Sequence, residues 1–328
     1  MVNNFLNKKN STRDLSDEKF TEILPILAKG LSKVNFHYFI DDEKLLKDWE
    51  KLKKFEKEGL HTASTVRTGM KLCEHFFPNF FDTKNSSGKS FKDFWNKEDL
   101  QKVIKWNRSS HSTPYLSELR RGIYFCNGLT KNTMYRPHIA KMVCDYYKPK
   151  RVLDPCCGWG GRLLGTTAGG IEYVGFETNE ETYENLNKLI SFLNIEDLTT
   201  IYNTGSETME FENEFDLVIT SPPYFNLEIY SDGENQSENM FDTYENWLNG
   251  WLKVVIEKSI KALKENGVSC WNIHNIGRYK LIDDVISIHK ENGFEIDSNF
   301  GVVSSLRQSN QDNSKKKKKS DLTMCFKR

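Results

Sequence analysis

The stretch that decides the fold is residues 152–162, which read Val-Leu-Asp-Pro-Cys-Cys-Gly-Trp-Gly-Gly-Arg. An apolar strand runs directly into a glycine-rich turn, and a helix is predicted to follow from residue 160. Glycines at this point let the backbone pass close to a ligand before the next helix begins. In a dinucleotide-binding fold the turn would hold a pyrophosphate, which the carboxylate of Asp154 would repel. A ligand with a cationic amino-acid end and no phosphate fits better.

Strands and helices alternate outward from this turn. The apolar patterns predict strands at 151–154, 171–176, 198–202, 215–219 and 268–273. Between and after these strands, helical spacing predicts helices at 136–147, 160–167, 180–193, 244–263 and 279–292. Such alternation predicts an α/β fold with a doubly wound, largely parallel sheet. Two further strands, near 294–303 and 322–326, would add an antiparallel hairpin at its edge.

The charge divides the chain into two parts. The 46 Lys+Arg and 46 Asp+Glu cancel over 328 residues, but residues 1–150 hold 28 basic and 18 acidic side chains. Residues 315–328 add seven basic residues and one acid, and 151–314 carry the excess of acid. We therefore expect a basic, mainly helical region at 1–130 and an acidic α/β domain at 131–328.

Two more motifs follow predicted strands. Glu177 ends the second strand, 23 residues after Asp154, where a carboxylate can accept hydrogen bonds from two ribose hydroxyls. Residues 215–225 read Phe-Asp-Leu-Val-Ile-Thr-Ser-Pro-Pro-Tyr-Phe. Two prolines remove two donors and leave carbonyls free to face a ligand. Ser221 and the Pro222 carbonyl could accept from an exocyclic amino group, and Tyr224 offers a face to a flat base.

Together these motifs resemble a known family. The glycine turn resembles the motif that binds S-adenosyl-L-methionine (AdoMet) in class I methyltransferases. Residues 221–224 resemble the catalytic motif of DNA amino-methyltransferases, which methylate cytosine N4 or adenine N6. The resemblance covers roughly residues 131–328 and implies a Rossmann-like class I methyltransferase sheet.

The resemblance also implies roles for individual residues. A flipped target base would stack on Tyr224 and donate its amino hydrogens to Ser221 and Pro222. The implied catalytic residues are Ser221, Pro222, Pro223 and Tyr224. The implied AdoMet-binding residues are Arg136, Asp154, Pro155, Cys156, Gly158, Gly160, Glu177 and Ser206.

Two departures from the family pattern matter. Relatives often carry an acid near the adenine of AdoMet, where this chain has Gly205-Ser206-Glu207, so either Ser206 or Glu207 could serve. The catalytic motif begins with Ser221, and in the family Ser-Pro-Pro-Tyr is commoner among cytosine-N4 enzymes. Cytosine N4 is therefore favoured over adenine N6.

Recognition of double-stranded DNA is assigned to residues 1–130, because the loop 226–240 is too short to form a recognition domain. Lys315 to Lys319 could grip the nucleic-acid backbone, form a solvated loop or act as a nuclear import signal. The candidate phosphate contacts are basic residues spread over 67–131: Arg67, Lys89, Lys92, Lys102, Lys105, Arg108, Arg120, Arg121 and Lys131.

Alternative functions are an RNA amino-methyltransferase and a catalytically silent nucleic-acid-binding subunit. A site-specific DNA enzyme would suit restriction-modification, although the sequence specifies no partner endonuclease and no oligomeric state. The seven cysteines form no CxxC pair and are interpreted as reduced thiols. The sequence predicts no metal site and no membrane span. We expect an intracellular, cytoplasmic protein, or a nuclear one in a eukaryotic host.

Overall fold

The computed structural model describes residues 12–56, 66–85, 88–110, 114–129, 133–225, 228–229, 240–275, 277–298, 302–306 and 320–328. These residues fall into two compact units. The smaller unit takes the described residues of 1–38, 80–133 and 228–230, and the larger takes those of 39–79, 134–227 and 231–328. Lys131, Lys315 to Lys319 and most of the loop 226–240 lie outside the described residues.

From residue 136 onward, the helices and the strands of the main sheet follow the predicted order. The helices are α1 Asp17–Leu31, α2 Asp42–Lys53, α3 Met70–Phe76, α4 Lys97–Ser109, α5 Leu116–Asn127, α6 Pro137–Tyr147, α7 Gly161–Thr167, α8 Glu180–Leu193, α9 Tyr244–Trp247, α10 Lys253–Ala262 and α11 Leu281–Glu291. The strands are β1 Lys84–Asn85, β2 Arg151–Asp154, β3 Glu172–Phe176, β4 Thr199–Tyr202, β5 Phe215–Thr220, β6 Glu228–Ile229, β7 Leu263–Ile273, β8 Glu295–Ile296, β9 Val302–Leu306 and β10 Ser320–Lys327. A π-helical turn, Leu248–Leu252, joins α9 to α10 where one continuous helix was expected.

The larger unit is built on one mixed sheet. Its strand order is β4-β3-β2-β5-β7-β10-β8, and β9 pairs with β10. Strands β2, β3, β4, β5 and β7 pair in parallel, whereas β10 runs antiparallel to β7, β8 and β9. This arrangement confirms the predicted α/β doubly wound sheet with a terminal antiparallel hairpin.

Successive residues of a strand point to opposite faces of the sheet, and here apolar residues on both faces pack against helices. Val152 and Leu217 pack in one core cluster with apolar residues of α6, α7 and α8. Leu153 and Val218 pack in a second cluster with residues of α10 and α11. The sheet is therefore buried on both faces, which leaves its strand ends as the place for a ligand.

The division of the chain differs from a boundary at residue 130. Residues 39–79 belong to the larger unit, and their helices α2 and α3 supply Leu45, Leu52 and Leu72 to the core cluster around β2. The sequence predicts a mainly helical region here but does not say which core receives the apolar faces of its helices.

The smaller unit is mainly helical, as expected for this part of the chain. Helices α1, α4 and α5 surround a core that includes Phe20, Leu27 and Trp95. The Trp95 indole donates to the Leu31 and Val34 carbonyls, at 3.2 and 3.1 Å. Strands β1 and β6 form a short antiparallel pair in this unit.

The expectation that all cysteines are reduced thiols is wrong for two of them. Cys270 on β7 and Cys325 on β10 lie directly opposite each other and form a disulfide, with 4.1 Å between their Cα atoms. Their pairing depends on strand register, which cysteine spacing does not reveal. The other five cysteines are free. Among the described residues, no helix combines the length and apolar character needed to cross a membrane.

Candidate active site

The residues predicted to act together lie at one edge of the sheet. Asp154 ends β2, Glu177 follows β3, Ser206 lies shortly after β4, and Ser221 follows β5. Because these strands are parallel, their carboxyl ends meet at the same edge. The fold therefore brings together the two motifs that the sequence separates by about sixty residues.

The glycine turn connects β2 to α7. Gly158 and Gly160 have φ angles of +54° and +69°, a backbone conformation that other residues rarely adopt. The Cys157 amide donates to the Phe176 carbonyl at 2.9 Å and fastens the turn to the end of β3. The turn consequently keeps a bent backbone course that only glycines allow at these two points.

Asp154 is completely buried, and its carboxylate is occupied by the protein's own donors. Oδ2 accepts from Arg162 Nε and from the Tyr173 hydroxyl, each at 2.7 Å. Oδ1 accepts from the Thr220 hydroxyl at 2.8 Å and from the Cys156 amide at 3.1 Å. A carboxylate has about four acceptor positions. The structure thus places Asp154 at the site but leaves its side chain no open acceptor position.

Arg162 holds the glycine turn from inside α7. Besides its ion pair with Asp154, its guanidinium donates to the carbonyls of Cys156 and Cys157. The carboxylate of Asp154 raises the pKa of Arg162 against the opposing effect of burial, so the guanidinium stays charged. One arginine therefore ties both cysteine carbonyls and the buried acid to the first turn of α7.

Glu177 differs from Asp154 because the described residues fill only half of its acceptor positions. Oε2 accepts from the Gly158 amide at 3.0 Å, and Oε1 accepts from the Asn179 amide at 2.9 Å. One position on each oxygen remains, which suits two vicinal hydroxyls. Burial raises the pKa of the Glu177 carboxyl to about 7, despite the two amide donors.

Ser206 and Glu207 were alternative adenine contacts, and their surroundings differ. The Ser206 hydroxyl is buried and has no hydrogen-bond partner within the part of the chain that the structure describes. The Glu207 carboxylate instead accepts from the Trp251 indole at 3.0 Å. Buried polar groups nearly always have a partner, so the Ser206 hydroxyl is the better candidate for a ligand contact.

The remaining predicted AdoMet residues flank the glycine turn. Arg136 caps the N-terminus of α6, and its guanidinium donates to the Val66 carbonyl at 3.4 Å. Pro155 is buried and Cys156 half-buried. Desolvation and the neighbouring Asp154 raise the pKa of the Cys156 thiol, which disfavours the nucleophilic thiolate.

The predicted catalytic turn is fastened to the neighbouring strand through one carbonyl. The hydroxyls of Ser221 and Tyr224 both donate to the main-chain carbonyl of Asn272 on β7, at 3.2 and 3.0 Å. The side-chain amide of Asn272 also donates to Ser221 Oγ at 3.4 Å. With its proton committed to Asn272, the Ser221 oxygen faces any further partner as an acceptor.

Aromatic rings surround the same turn. The Tyr224 side chain is 7% exposed, and its ring centroid lies 4.2 Å from that of His274. Phe225 has φ +43° and packs against Tyr244 and Trp247, each with 6.0 Å between ring centroids. Pro222 is buried and Pro223 is half-buried. The turn is therefore held rigidly by packing as well as by hydrogen bonds.

The basic residues of the smaller unit do not all face solvent. Arg120 is buried, donates to the Phe36 carbonyl at 2.8 Å and stacks 3.6 Å from the Tyr38 ring centroid, so it stabilises the unit itself. Lys102, Lys105 and Arg121 of α4 and α5 are exposed. Lys102 and Arg121 pair with acids of their own helices at 2.7 and 3.2 Å.

Sequence reasoning missed Arg162, Tyr173 and Thr220 as partners of Asp154. A signal existed for Arg162, since a charged residue in the first turn of a buried helix needs a nearby acid. Tyr173 and Thr220 carry no such signal. Within the described residues, no cluster of three or more His, Cys, Asp or Glu side chains could hold a metal ion.

Comparisons with known proteins support the interpretation of these motifs as those of a methyltransferase. A family model described as DNA methylase matches residues 215–328, and one described as N-6 DNA Methylase matches residues 131–267. Together the two matches cover the glycine turn, the catalytic turn and the C-terminal hairpin.

One similar protein is the tRNA (guanine(10)-N2)-dimethyltransferase of Methanothermobacter thermautotrophicus, 25% identical over 141 residues. The match covers 43% of this chain and 38% of that protein, so the chain spans well under half of its relative. Similar solved structures include TrmN from Thermus thermophilus (14% identity, TM-score 0.40, 58% of this chain and 48% of that one). Another is a SAM-dependent O-methyltransferase from Thermotoga maritima, with 12% identity and a TM-score of 0.40. That match covers 60% of this chain and 67% of the other.

Proposed function

Because the chain belongs to the class I AdoMet-dependent DNA amino-methyltransferase family, we propose that it methylates the exocyclic amino group of a DNA base. Cytosine N4 is the proposed target in preference to adenine N6. The observation that carries the proposal is that the hydroxyls of Ser221 and Tyr224, which follow β5, both donate to the main-chain carbonyl of Asn272. The site therefore offers acceptors to an amino group.

AdoMet, which supplies an electrophilic sulfonium methyl when bound, fits the edge formed by β2, β3 and β4. The acceptor positions of Glu177 that no described residue fills suit the ribose diol. The Ser206 hydroxyl, which has no partner among the described residues, suits the adenine. Gly158 and Gly160 allow the left-handed backbone conformation that the bent turn requires. The other proposed AdoMet-binding residues are Arg136, Pro155 and Cys156. Asp154 instead stabilises the glycine turn through its hydrogen bonds within the protein.

The target base is proposed to leave the duplex and bind at the catalytic turn. Ser221 Oγ and the Pro222 carbonyl accept its amino hydrogens, which favours a tetrahedral nitrogen with a free lone pair. Tyr224 and Pro223 present the surfaces against which the base is positioned. Rigid placement of these acceptors supplies the catalysis by orientation and electrostatics.

No covalent enzyme intermediate is needed for this transfer. The Cys156 thiol has a raised pKa, and Cys157 is fully buried with a thiol pKa that desolvation raises further. Neither cysteine is therefore suited to attack a base. Both instead build the glycine turn through their backbone groups.

The proposal is tested by expressing the chain in a host without DNA methylation and analysing digested DNA and RNA by mass spectrometry. N4-methylcytosine in DNA is the expected product, and the double variant Tyr224→Ala/Pro222→Ala should abolish it. His274→Ala is a matched change beside the same ring that leaves both proposed acceptors in place. N6-methyladenine would move the target to adenine, and absence of any mark would overturn the proposal in favour of a silent subunit.

An RNA substrate is the second candidate, because the tRNA dimethyltransferase of Methanothermobacter thermautotrophicus is a similar protein that also acts on an exocyclic amino group. Modified nucleosides in RNA together with unmodified DNA would support this candidate. The same double variant should then abolish the RNA mark.

A further inference from the structure

The two turns of the site are joined by a buried hydrogen bond that family resemblance does not predict. The Thr220 hydroxyl donates to Asp154 Oδ1 at 2.8 Å, and both side chains are completely buried. Thr220 is the residue directly before Ser221, and Asp154 is the residue at which the glycine turn begins. One hydrogen bond therefore links the start of one turn to the start of the other.

The acid end of this link is held rigidly. The remaining acceptor positions of Asp154 are taken by Arg162, Tyr173 and the Cys156 amide, so the carboxylate cannot rotate without breaking several bonds. Arg162 in turn holds the carbonyls of Cys156 and Cys157. A shift of the glycine turn must therefore move the Asp154 carboxylate, and with it the hydroxyl of Thr220.

The threonine end leads directly to the proposed acceptors. Thr220 pairs with Trp271 on β7, the residue before Asn272, whose carbonyl holds Ser221 and Tyr224. The side chain of Thr220 thus contacts the glycine turn while its backbone continues into the catalytic turn.

We infer that Thr220 is a positioning residue that couples the AdoMet turn to the catalytic turn through Asp154. Occupation of the glycine turn then further stabilises the placement of Ser221 and Tyr224 that the structure shows, before a target base arrives. Asp154 acts as the junction of this coupling and not as a direct ligand of AdoMet. The inference rests on the proposed function, since the turn that begins at Ser221 is taken to hold the target amino group.

The test compares Thr220→Val with Thr220→Ser and Thr167→Val in the full chain. Valine keeps the shape of threonine but lacks the hydroxyl, whereas serine retains it. Thr167 is a buried threonine at the end of α7, and its hydroxyl donates to the Leu163 carbonyl of the same helix at 2.9 Å. Thr167→Val therefore removes a buried hydroxyl of the same kind without touching the proposed link.

Hydrogen–deuterium exchange with and without AdoMet is the primary measurement, and it does not depend on turnover. AdoMet should slow exchange at both turns in the wild-type chain, Thr220→Ser and Thr167→Val. In Thr220→Val the slowing should persist around Gly158 but disappear at Ser221, Tyr224 and Phe225. Equal protection of both turns in Thr220→Val, or no protection of the catalytic turn in the wild type, would overturn the inference.

Methyl transfer provides the second measurement. Thr220→Val should lower kcat by about tenfold, which corresponds to one misplaced orienting contact. Its Kd for AdoMet should change by less than about threefold, because the direct AdoMet contacts remain. Thr220→Ser should recover most of kcat. If the wild-type chain methylates no nucleic acid, the proposed function fails, whereas the exchange data still decide the coupling.

Discussion

Ser206 carries a buried hydroxyl without a partner in the described structure, and this predicts an unusual pair of effects. Ser206→Ala should leave the free energy of unfolding unchanged or slightly higher, because no internal hydrogen bond is lost. Its affinity for AdoMet should fall by about threefold to tenfold, the value of one hydrogen bond. Calorimetric titration and urea unfolding measure the two quantities.

Ser259 provides the matched control for this prediction. It lies on α10, and its hydroxyl is likewise buried without a partner among the described residues. Ser259→Ala should preserve the affinity for AdoMet. If both variants bind AdoMet like the wild type, the Ser206 hydroxyl does not contact the cofactor.

Glu177 predicts how AdoMet binding depends on pH. Its carboxyl pKa is raised to about 7, so the group becomes protonated in the cofactor-free protein as the pH falls through that value. Protonation removes an acceptor for the ribose hydroxyls, and the Kd for AdoMet should rise by up to about tenfold per pH unit below pH 7. Titrations from pH 6 to pH 8 measure this dependence.

Glu177→Gln separates this carboxyl from the other titrating groups. An amide does not titrate in this range, so the variant should bind AdoMet more weakly at pH 8 with a nearly flat pH profile. The same pH dependence in the variant as in the wild type would assign it to another group.

At the scale of elements, the first turn of α7 depends on the buried ion pair between Arg162 and Asp154. Arg162→Met leaves the buried carboxylate without its charged partner, so the free energy of unfolding should fall by about 3–5 kcal/mol. Arg151→Met removes a partly exposed arginine that pairs with Glu172 and Glu214, and it should cost about 1 kcal/mol or less. Equal losses in urea unfolding would contradict the assigned role of Arg162.

The helices and strands also show which parts of the site can be predicted from the sequence. Strand β2, the glycine turn and the Ser-Pro-Pro-Tyr turn carry local signals, and parallel strand order brings their ends together. The saturation of Asp154 has no local signal, because its partners Tyr173 and Thr220 lie 19 and 66 residues away on other strands. The Cys270–Cys325 disulfide escaped prediction for the same reason, since it depends on the register of β7 and β10.

At the scale of the molecule, helical pattern could not assign residues 39–79 to a unit. The apolar faces of α2 and α3 suit any core, and only tertiary packing shows that they join the cluster around β2. The basic excess of residues 1–150 is likewise a sum over two units. A proposed nucleic-acid surface must therefore be assigned to exposed residues individually, such as Lys105 on α4.

Lys105 allows the proposed role of the smaller unit to be measured. Lys105→Gln should weaken DNA binding and lower the slope of log K against log salt by about one, because one phosphate contact is lost. Lys290→Gln changes an exposed lysine on α11 of the larger unit and should leave that slope unchanged. An unchanged slope in Lys105→Gln would remove Lys105 from the proposed surface.

The central claim is transfer of the AdoMet methyl group to an exocyclic amino nitrogen of DNA at Ser221 and Tyr224. The most direct test incubates the purified chain with AdoMet carrying a deuterated methyl group and with unmethylated DNA and RNA in separate reactions. The account predicts that the label appears on cytosine N4 in DNA, and that Tyr224→Ala leaves the DNA unlabelled. Label in RNA alone, on a ring carbon, or undiminished in Tyr224→Ala would contradict it.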